Sequence, residues 1–242
     1  MAQANIKYKE KNYTLSYELQ NTTKPEILLL HGWGANKELM KQAFEKVFNN
    51  FSQIYLDLPG FGNSSIEEPL TSDDYADIVY EFLQTKNFYP QIILGHSFGG
   101  KIAALLIQKL RQTTKLVLLS NSGILAKKTL KVRLKITLFK IVKHFGLGKL
   151  YRLFASEDAK NLNPLMYKTF KNVVDEDLSA RFAKITNKTF IFWGMKDKAT
   201  PLESGEKMHK LIVQSEFYPL EGDHFFFFKY SDFIASKLQG YK

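Results

Sequence analysis

A chain of 242 residues that is 45% hydrophobic and 14% aromatic can bury one well-formed core. It contains no cysteine, which excludes disulfide bonds, thiolate catalysis and cysteine-ligated metal sites. The formal net charge of +10 leaves four interpretations open: an acidic partner, an anionic membrane surface, nucleic acid or the background of a lysine-rich proteome. The first ten residues lack the apolar segment of a signal peptide, and no uncharged apolar stretch has the length of a membrane span, so we expect a soluble, cytoplasmic protein.

Short apolar runs alternate along the chain with amphipathic stretches, which predicts alternating strands and helices. The predicted strands are residues 13–19, 27–31, 53–58, 91–95, 115–120, 189–193 and 216–220. The predicted helices are residues 37–48, 73–85, 99–111, 202–211 and 225–238. Strands such as 27–30 and 116–119 are continuously apolar, as burial on both faces of a sheet requires. The pattern predicts an α/β fold with a mostly parallel central sheet and helices on both faces.

The alternation of strands and helices is interrupted between residues 122 and 188. We therefore predict one α/β core, built from residues 1–121 and 189–242, with a helical lid inserted as residues 122–188. Ligands of open α/β sheets bind at the carboxyl ends of the strands. Each motif described below follows a predicted strand, so we expect the functional site at that edge of the sheet.

The sequence Gly-His-Ser-Phe-Gly at residues 95–99 lies between a predicted strand and a predicted helix. Gly-x-Ser-x-Gly in this context forms a sharp turn, the nucleophile elbow, which lifts the serine hydroxyl above the sheet. Side chains at Gly95 and Gly99 would collide with the neighbouring strand and helix. Ser97 is therefore the candidate nucleophile, with an ordinary loop serine as the alternative.

A serine nucleophile needs a base that takes its proton. Of the five histidines, His224 is the candidate because it follows the last predicted strand and lies at the same edge of the sheet. Asp197 follows the preceding strand and is the candidate carboxylate that orients His224, in the chain order serine, aspartate, histidine. Asp223, adjacent to His224 in a turn, and Asp57, after an earlier strand, are weaker alternatives.

Acyl transfer also needs N–H groups that bind the negative charge developing on a substrate oxygen, and losing one costs about 3 kcal/mol. The backbone N–H of Phe98, at the start of a helix, is one candidate. Trp33 in His-Gly-Trp-Gly (31–34) is the other, because glycines let the backbone approach a substrate; a plain tight turn is the alternative. The side chains of Trp33, His96, Phe98 and Phe225 are candidates for substrate contact.

Five motifs, in this order, resemble those of the α/β-hydrolase fold family across nearly the whole chain. They are His-Gly-Trp-Gly at 31–34, Asp-Leu-Pro-Gly-Phe-Gly-Asn-Ser at 57–64, Gly-His-Ser-Phe-Gly-Gly at 95–100, Gly-Met-Lys-Asp at 194–197 and Gly-Asp-His at 222–224. The first two are similar to those of carboxylesterases that cleave the methyl ester of pimeloyl-carrier protein in biotin synthesis. Lipases, C–C bond hydrolases and the lyase of menaquinone synthesis share much of the pattern. Ser97 distinguishes the chain from haloalkane dehalogenases and epoxide hydrolases, which have aspartate there.

The resemblance implies a serine hydrolase that cleaves a carboxylic ester or a thioester through an acyl-enzyme on Ser97. It implies neither a metal ion nor an organic cofactor, and a monomer is the default for the family. One alternative is a C–C bond hydrolase or lyase that uses the same three residues. The other is a binding protein on a hydrolase scaffold, which recruits an acidic partner or a membrane.

The predicted insertion carries much of the positive charge. Nine lysine and arginine residues and no acidic residue occur between residues 122 and 156. Apolar residues recur there at helical spacing and predict one apolar stripe: Leu130, Leu134, Leu138, Ile141 and Phe145. Three interpretations stay open: docking of a substrate on an acidic carrier protein or CoA, weak contact with anionic lipid, or a pocket cover with a solvated back. No nucleic-acid-binding motif is present.

Overall fold

Eight strands form one sheet in the parts of the chain that the computed structural model describes, residues 2–20, 25–125 and 163–239. The strands are β1 (Ala2–Tyr8), β2 (Lys11–Gln20), β3 (Glu26–Leu30), β4 (Ser52–Leu56), β5 (Ile92–His96), β6 (Lys115–Leu119), β7 (Thr189–Gly194) and β8 (Ser215–Leu220). Their spatial order is β1-β2-β4-β3-β5-β6-β7-β8. The strand β2 is antiparallel to β1 and β4, and the other pairs are parallel. The predicted α/β fold with a mostly parallel sheet is confirmed.

Helices cover both faces of this sheet. They are α1 (Lys37–Phe44), α2 (Ser72–Lys86), α3 (Phe98–Leu106) with a 3₁₀ turn at Ile107–Lys109, α4 (Pro164–Val173), α5 (Ser179–Phe182), α6 (Leu202–Leu211) and α7 (Phe227–Gln239). Buried side chains of α2, α3 and α6 pack on one face of the sheet, and those of α1 and α7 pack on the other. Burial on both faces explains why β4 and β5 are buried at every residue.

The edge strand β1 was not predicted from the sequence. Its residues alternate between exposed and buried, and the buried apolar side chains are only those of Ala4 and Ile6. The segment pairs antiparallel with β2, from Ala2 opposite Tyr17 to Tyr8 opposite Lys11. A short, half-polar segment of this kind has too weak an apolar pattern to indicate a strand, and its pairing with β2 stabilises it.

Only the ends of the predicted lid belong to the described part of the chain. Its lysine-rich apolar stripe lies outside the described residues, and the bounds 122–188 stay a prediction. The C-terminal end of the predicted lid is hydrogen-bonded to the core, because the backbone N–H of Leu70 donates to Thr169 Oγ1 at 3.1 Å. Lys101 Nζ, on α3, donates to the carbonyl oxygen of Val173 at 2.5 Å. Helix α4 is thereby attached to the helix that follows Ser97.

Among the helices in the ranges given above, none is both long enough and apolar enough to span a bilayer.

A buried ion pair fixes the start of α1 against the end of β4. Lys37 Nζ lies 2.7 Å from Asp57 Oδ2, and the two side chains are 2% and 0% exposed. Asp57 Oδ1 also accepts the backbone N–H of Lys37 at 2.7 Å, and Oδ2 accepts that of Asn63 at 3.1 Å. Lys37 Nζ makes a further hydrogen bond of 3.2 Å to Ser16 Oγ. With its oxygens occupied in this way, Asp57 has a structural role.

We expect the Lys37→Met variant to lower the free energy of unfolding by about 3–5 kcal/mol, because it leaves the Asp57 carboxylate buried without its cation. Urea unfolding followed by circular dichroism measures this loss. The matched control is Lys41→Met, which breaks a partly exposed ion pair with Glu18 at 2.5 Å. That variant should lose less than about 1 kcal/mol. Equal losses in the two variants would contradict the prediction.

Candidate active site

Ser97 occupies the sharp turn between β5 and α3. Its backbone angles are φ 51° and ψ −113°, in a region that non-glycine residues rarely adopt. Such a conformation costs about 1–3 kcal/mol and persists only where the surroundings hold it. Here the N–H of Ser97 donates to the carbonyl oxygen of Leu119 at 3.0 Å, and its carbonyl accepts the N–H of Ser122 at 3.2 Å. Neighbouring β6 therefore supports the strained turn.

The two glycines that flank Ser97 allow backbone segments to approach closely. A Cβ atom on Gly95 would lie 2.5 Å from the carbonyl oxygen of Gly99 and 2.6 Å from Cα of Gly100, both on α3. A Cβ atom on Gly99 would lie 2.4 Å from the carbonyl oxygen of His31, at the end of β3. Because these contacts involve backbone atoms, no side-chain movement could relieve them.

Asp197 and His224 lie in the loops that follow β7 and β8, and their side chains are hydrogen-bonded. His224 Nδ1 donates to Asp197 Oδ2 at 2.7 Å. Asp197 Oδ1 accepts the backbone N–H groups of Ala199 at 2.8 Å and Thr200 at 2.9 Å. Burial raises the pKa of Asp197, but the hydrogen bonds from His224 and Thr200 outweigh it and lower the pKa to about 2. A charged Asp197 holds the proton on His224 Nδ1, which leaves Nε2 as a proton acceptor.

Neither rival carboxylate is bonded to His224. Asp223 Oδ1 accepts the backbone N–H of Phe225 at 2.9 Å, two residues further along the same turn. Asp57 is occupied by Lys37. The structure therefore brings Asp197 to His224 and leaves the other two carboxylates in local structural roles.

Thr200 belongs to this group, although we did not single it out from the sequence. Its hydroxyl lies 2.8 Å from Asp197 Oδ2 and 3.0 Å from the carbonyl oxygen of Ser120, with one hydrogen to donate. Its backbone N–H is also bonded to Asp197. The spacing Asp-x-x-Thr at residues 197–200 is a detectable signal, because an aspartate often accepts N–H groups two and three residues ahead.

His96 lies between Ser97 and the loop of His224. Its side chain is 2% exposed, and its Nε2 donates to the backbone carbonyl of His224 at 3.0 Å. The ring is therefore buried against the protein, and the substrate contact predicted for His96 stays a prediction. Ser97 Oγ and His224 have no hydrogen bond between them, although both residues belong to the described ranges. Such bonds often form only when a substrate is bound.

The loop after β3 brings the backbone of Trp33 beside Ser97. The carbonyl oxygen of Gly32 accepts a hydrogen bond of 2.8 Å from His31 Nδ1. In a trans peptide the N–H points opposite to the carbonyl, so the N–H of Trp33 points away from His31. A Cβ atom on Gly32 would lie 3.3 Å from Ser97 Cβ, which shows how closely this loop approaches the elbow. Phe98, the first residue of α3, has no helical partner for its N–H.

His31 fixes this loop in place as a neutral side chain. Its Nε2 accepts the backbone N–H of Leu58 at 3.0 Å, while its Nδ1 donates to the carbonyl of Gly32. Burial lowers the pKa of His31 to about 4, so the ring carries no charge near neutral pH. His31 thus connects the loop that carries Trp33 to the loop that follows β4.

Aromatic rings form one wall beside Ser97. The Trp33 ring lies 4.9 Å from that of Phe61, 5.2 Å from that of Phe98 and 5.3 Å from that of Phe170, measured between centroids. Phe170 comes from α4, so the described end of the insertion contributes to this wall. Phe225 is 48% exposed, and its ring lies 5.5 Å from that of His224. The substrate contacts predicted for Trp33, Phe98 and Phe225 stay predictions.

Known proteins resemble this chain in sequence and in fold. The sequence profile of the alpha/beta hydrolase fold family matches residues 25–172. Lipase 3 of a Moraxella species is 26% identical over 226 residues, which cover 82% of this chain and 71% of the lipase. The pimeloyl-acyl-carrier protein methyl ester esterase of Proteus mirabilis is 36% identical over 81 residues, or 34% of this chain and 30% of that protein. An esterase of Exiguobacterium antarcticum superposes over 99% of each chain with a TM-score of 0.75 and 21% identity.

Proposed function

The chain belongs to the α/β-hydrolase fold family, and from this premise we propose that it hydrolyses carboxylic esters through an acyl-enzyme on Ser97. The observation that carries the proposal is the hydrogen bond of 2.7 Å from His224 Nδ1 to a charged Asp197, in loops beside the strained turn of Ser97. A serine in such a turn and a carboxylate-bound imidazole are the two parts that acyl transfer requires.

The proposed reaction has two steps, formation and hydrolysis of the acyl-enzyme. Ser97 Oγ attacks the ester carbonyl carbon while His224 Nε2 takes the hydroxyl proton. The backbone N–H groups of Trp33 and Phe98 bind the oxyanion. The C–O bond to the alcohol then breaks, and the alcohol leaves with the proton from His224. Water, deprotonated by His224, attacks the acyl-enzyme, the acid is released and Ser97 regains its proton.

An apolar acyl or alcohol group is the substrate class that the aromatic wall favours. The partly exposed rings of Trp33 and Phe170, packed on the buried rings of Phe61 and Phe98, offer apolar surface near Ser97. The names of the Moraxella lipase and the Exiguobacterium esterase agree with ester cleavage. A C–C bond hydrolase or lyase would use the same three residues, but nothing in their geometry favours that chemistry.

A substrate carried on an acidic carrier protein is a second proposal, supported by charge. The chain has a net charge of +10, and the Proteus mirabilis relative is named for a carrier-linked methyl ester. Opposite charges would steer an acidic carrier toward the chain. Lys127, Lys131 and Arg133 are three of the nine basic residues between residues 122 and 156 of the predicted insertion. Neutralising them together should raise KM for a carrier-linked methyl ester and leave KM for the free methyl ester unchanged. An equal change in KM for the two substrates would contradict the carrier proposal.

Two measurements test the ester hydrolase itself. The wild-type protein should turn over p-nitrophenyl butyrate, and a fluorophosphonate probe should label it at Ser97. Folded wild-type protein that does neither would contradict the proposal, and so would labelling that persists in Ser97→Ala. A scaffold that only binds a partner would give folded protein with neither turnover nor labelling, since it needs no reactive serine.

The Thr200 hydroxyl is expected to contribute to the rate through Asp197. Thr200→Val keeps the backbone N–H and the shape of the side chain but removes the donor that lies 2.8 Å from Asp197 Oδ2. A hydrogen bond to a charged group is worth about 1.5–3 kcal/mol, so kcat for p-nitrophenyl butyrate should fall by about 10- to 150-fold. The Thr200→Ser variant, which retains the hydroxyl, should stay close to wild type. A Thr200→Val variant with wild-type kcat would show that the hydroxyl does not act on Asp197.

A further inference from the structure

His96 makes a hydrogen bond that neither the elbow nor the reaction requires. Its Nε2 lies 3.0 Å from the carbonyl oxygen of His224. A carbonyl oxygen can only accept, so the proton of the neutral His96 ring is on Nε2. Its Nδ1 is buried and has no hydrogen-bond partner. A Cβ atom on Gly32 would lie 3.0 Å from that nitrogen, so His96 fills the space between the Trp33 loop and the His224 loop.

The His96 ring also packs directly on the histidine of the Asp197 pair. The centroids of the His96 and His224 rings are 4.5 Å apart, with the planes inclined at 51°. On another side the His96 ring lies 4.8 Å from that of the buried Phe227. Burial, followed by the neighbouring His224, lowers the pKa of His96 to about 3. The ring therefore stays neutral and adds no charge that would oppose protonation of His224.

The elements that carry the two histidines differ in how firmly they are held. His96 is the last residue of β5, between two hydrogen-bonded strands, β3 and β6. His224 lies in the loop between β8 and α7. Asp197 holds the side chain of His224 from the β7 side, and His96 holds its main chain from the β5 side. Two points of attachment fix the ring orientation more tightly than the aspartate alone would.

We propose that His96 is a positioning residue, which holds the main chain of His224 against the nucleophile elbow so that Nε2 of His224 faces Ser97. The proposal rests on the proposed role of His224 as the base for Ser97. It assigns the first variable position of the Gly-x-Ser-x-Gly motif to the support of the base, in agreement with the burial of the ring.

The kinetic test compares variants that keep or remove the N–H donor. His96→Leu should lower kcat for p-nitrophenyl butyrate by about 10- to 100-fold, since small displacements of reacting groups have effects of this size, with KM nearly unchanged. His96→Gln places an amide N–H near the position of Nε2 and should recover most of the loss. His209→Leu is the matched control, because it removes a histidine hydrogen bond to Ser215 far along the chain on α6. If His96→Leu raises KM and leaves kcat unchanged, or if His96→Gln recovers none of the lost kcat, the proposal is overturned.

A double-mutant cycle shows whether His96 acts through His224. In a His224→Ala background, His96→Leu should leave the residual rate unchanged, because the positioned ring is already absent. If His96→Leu lowers the rate by the same factor in both backgrounds, then His96 acts on something else. His96→Asn, which is polar but too short to reach the carbonyl of His224, is the second variant if leucine disturbs folding.

A measurement that needs no turnover separates this proposal from the proposed function. The Nδ1 proton of His224, hydrogen-bonded to Asp197, should give a proton NMR signal far downfield that is missing in His224→Ala. That signal should persist in His96→Gln and exchange with water at least about 10-fold faster in His96→Leu, as expected when local structure opens more readily. An unchanged exchange rate in His96→Leu would overturn the positioning role. Absence of ester turnover in the wild type would contradict the ester hydrolase alone.

Discussion

Replacing Ser97 with alanine should lower kcat for p-nitrophenyl butyrate by about 10⁶-fold, the size of the loss when a serine nucleophile is removed. The hydroxyl that forms the acyl-enzyme is then absent, and His224 has no proton to take from this position. Water can still react beside the N–H groups of Trp33 and Phe98, so a small residual rate above the uncatalysed reaction should persist. Stopped assays of the variant at high enzyme concentration measure the loss. Burst titration gives the active fraction of the wild-type protein with which it is compared.

The control for this variant is Ser236→Ala, which removes an exposed hydroxyl on α7 bonded to the carbonyl of Phe233. It should keep wild-type kcat. Contamination by another esterase is identified if a fluorophosphonate probe abolishes the residual activity of Ser97→Ala, since that variant has no serine at the site to label. A Ser97→Ala protein with more than about 1% of wild-type kcat would contradict the nucleophile assignment.

Asp197→Asn is expected to cause the second largest loss, about 10⁴-fold in kcat with a small change in KM. The amide can turn its NH₂ group toward His224 Nδ1, which favours the tautomer with the proton on Nε2 and blocks proton acceptance from Ser97. The charge that stabilises the imidazolium is lost as well. Because the pKa of Asp197 is lowered to about 2, the wild-type carboxylate stays charged above about pH 4. An acid limb of the activity profile above that pH therefore does not arise from Asp197.

The adjacent carboxylate supplies a matched control for Asp197. Asp223→Asn keeps an oxygen that can accept the N–H of Phe225 and changes the same charge one residue from His224. Its kcat should stay within about threefold of wild type, a difference of less than about 1 kcal/mol. If Asp223→Asn and Asp197→Asn lose the same activity, the charge near His224 matters rather than the hydrogen bond, and the assignment of Asp197 is wrong.

Much of the fold follows from patterns that act over a few residues. Continuous apolar runs predicted the central strands, because only strands buried on both faces lack polar positions. The helix 202–211 was predicted with its observed bounds. The predicted helix 37–48 ends at Phe44, and the predicted helix 99–111 gives way to a 3₁₀ turn after Leu106. Apolar periodicity continues past these ends, so it marks the buried face better than it marks the last helical turn.

Local patterns could not decide between partners that are far apart in the chain. Asp57, Asp197 and Asp223 all lie near ends of strands, and their order alone cannot show which one reaches His224. The structure separates them by their neighbours: Lys37 occupies Asp57, and the turn itself occupies Asp223. The support of His224 by His96 was missed for the same reason, since the two residues come from β5 and from the loop after β8. Thr200 was missed although it lies only three residues from Asp197 in the same loop.

The sequence by itself determined the α/β class and the turn around Ser97, because strand burial, helix periodicity and the two flanking glycines are short-range requirements. Tertiary structure alone decided that His224 reaches Asp197, so that hydrogen bonds from His224 and Thr200 lower the pKa of Asp197. It also decided that His96 is buried against the His224 loop. The physical reason is that a hydrogen bond depends on distances of about 3 Å between atoms. Such distances between residues 96, 197 and 224 exist only once the parallel strands bring their loops to one edge of the sheet.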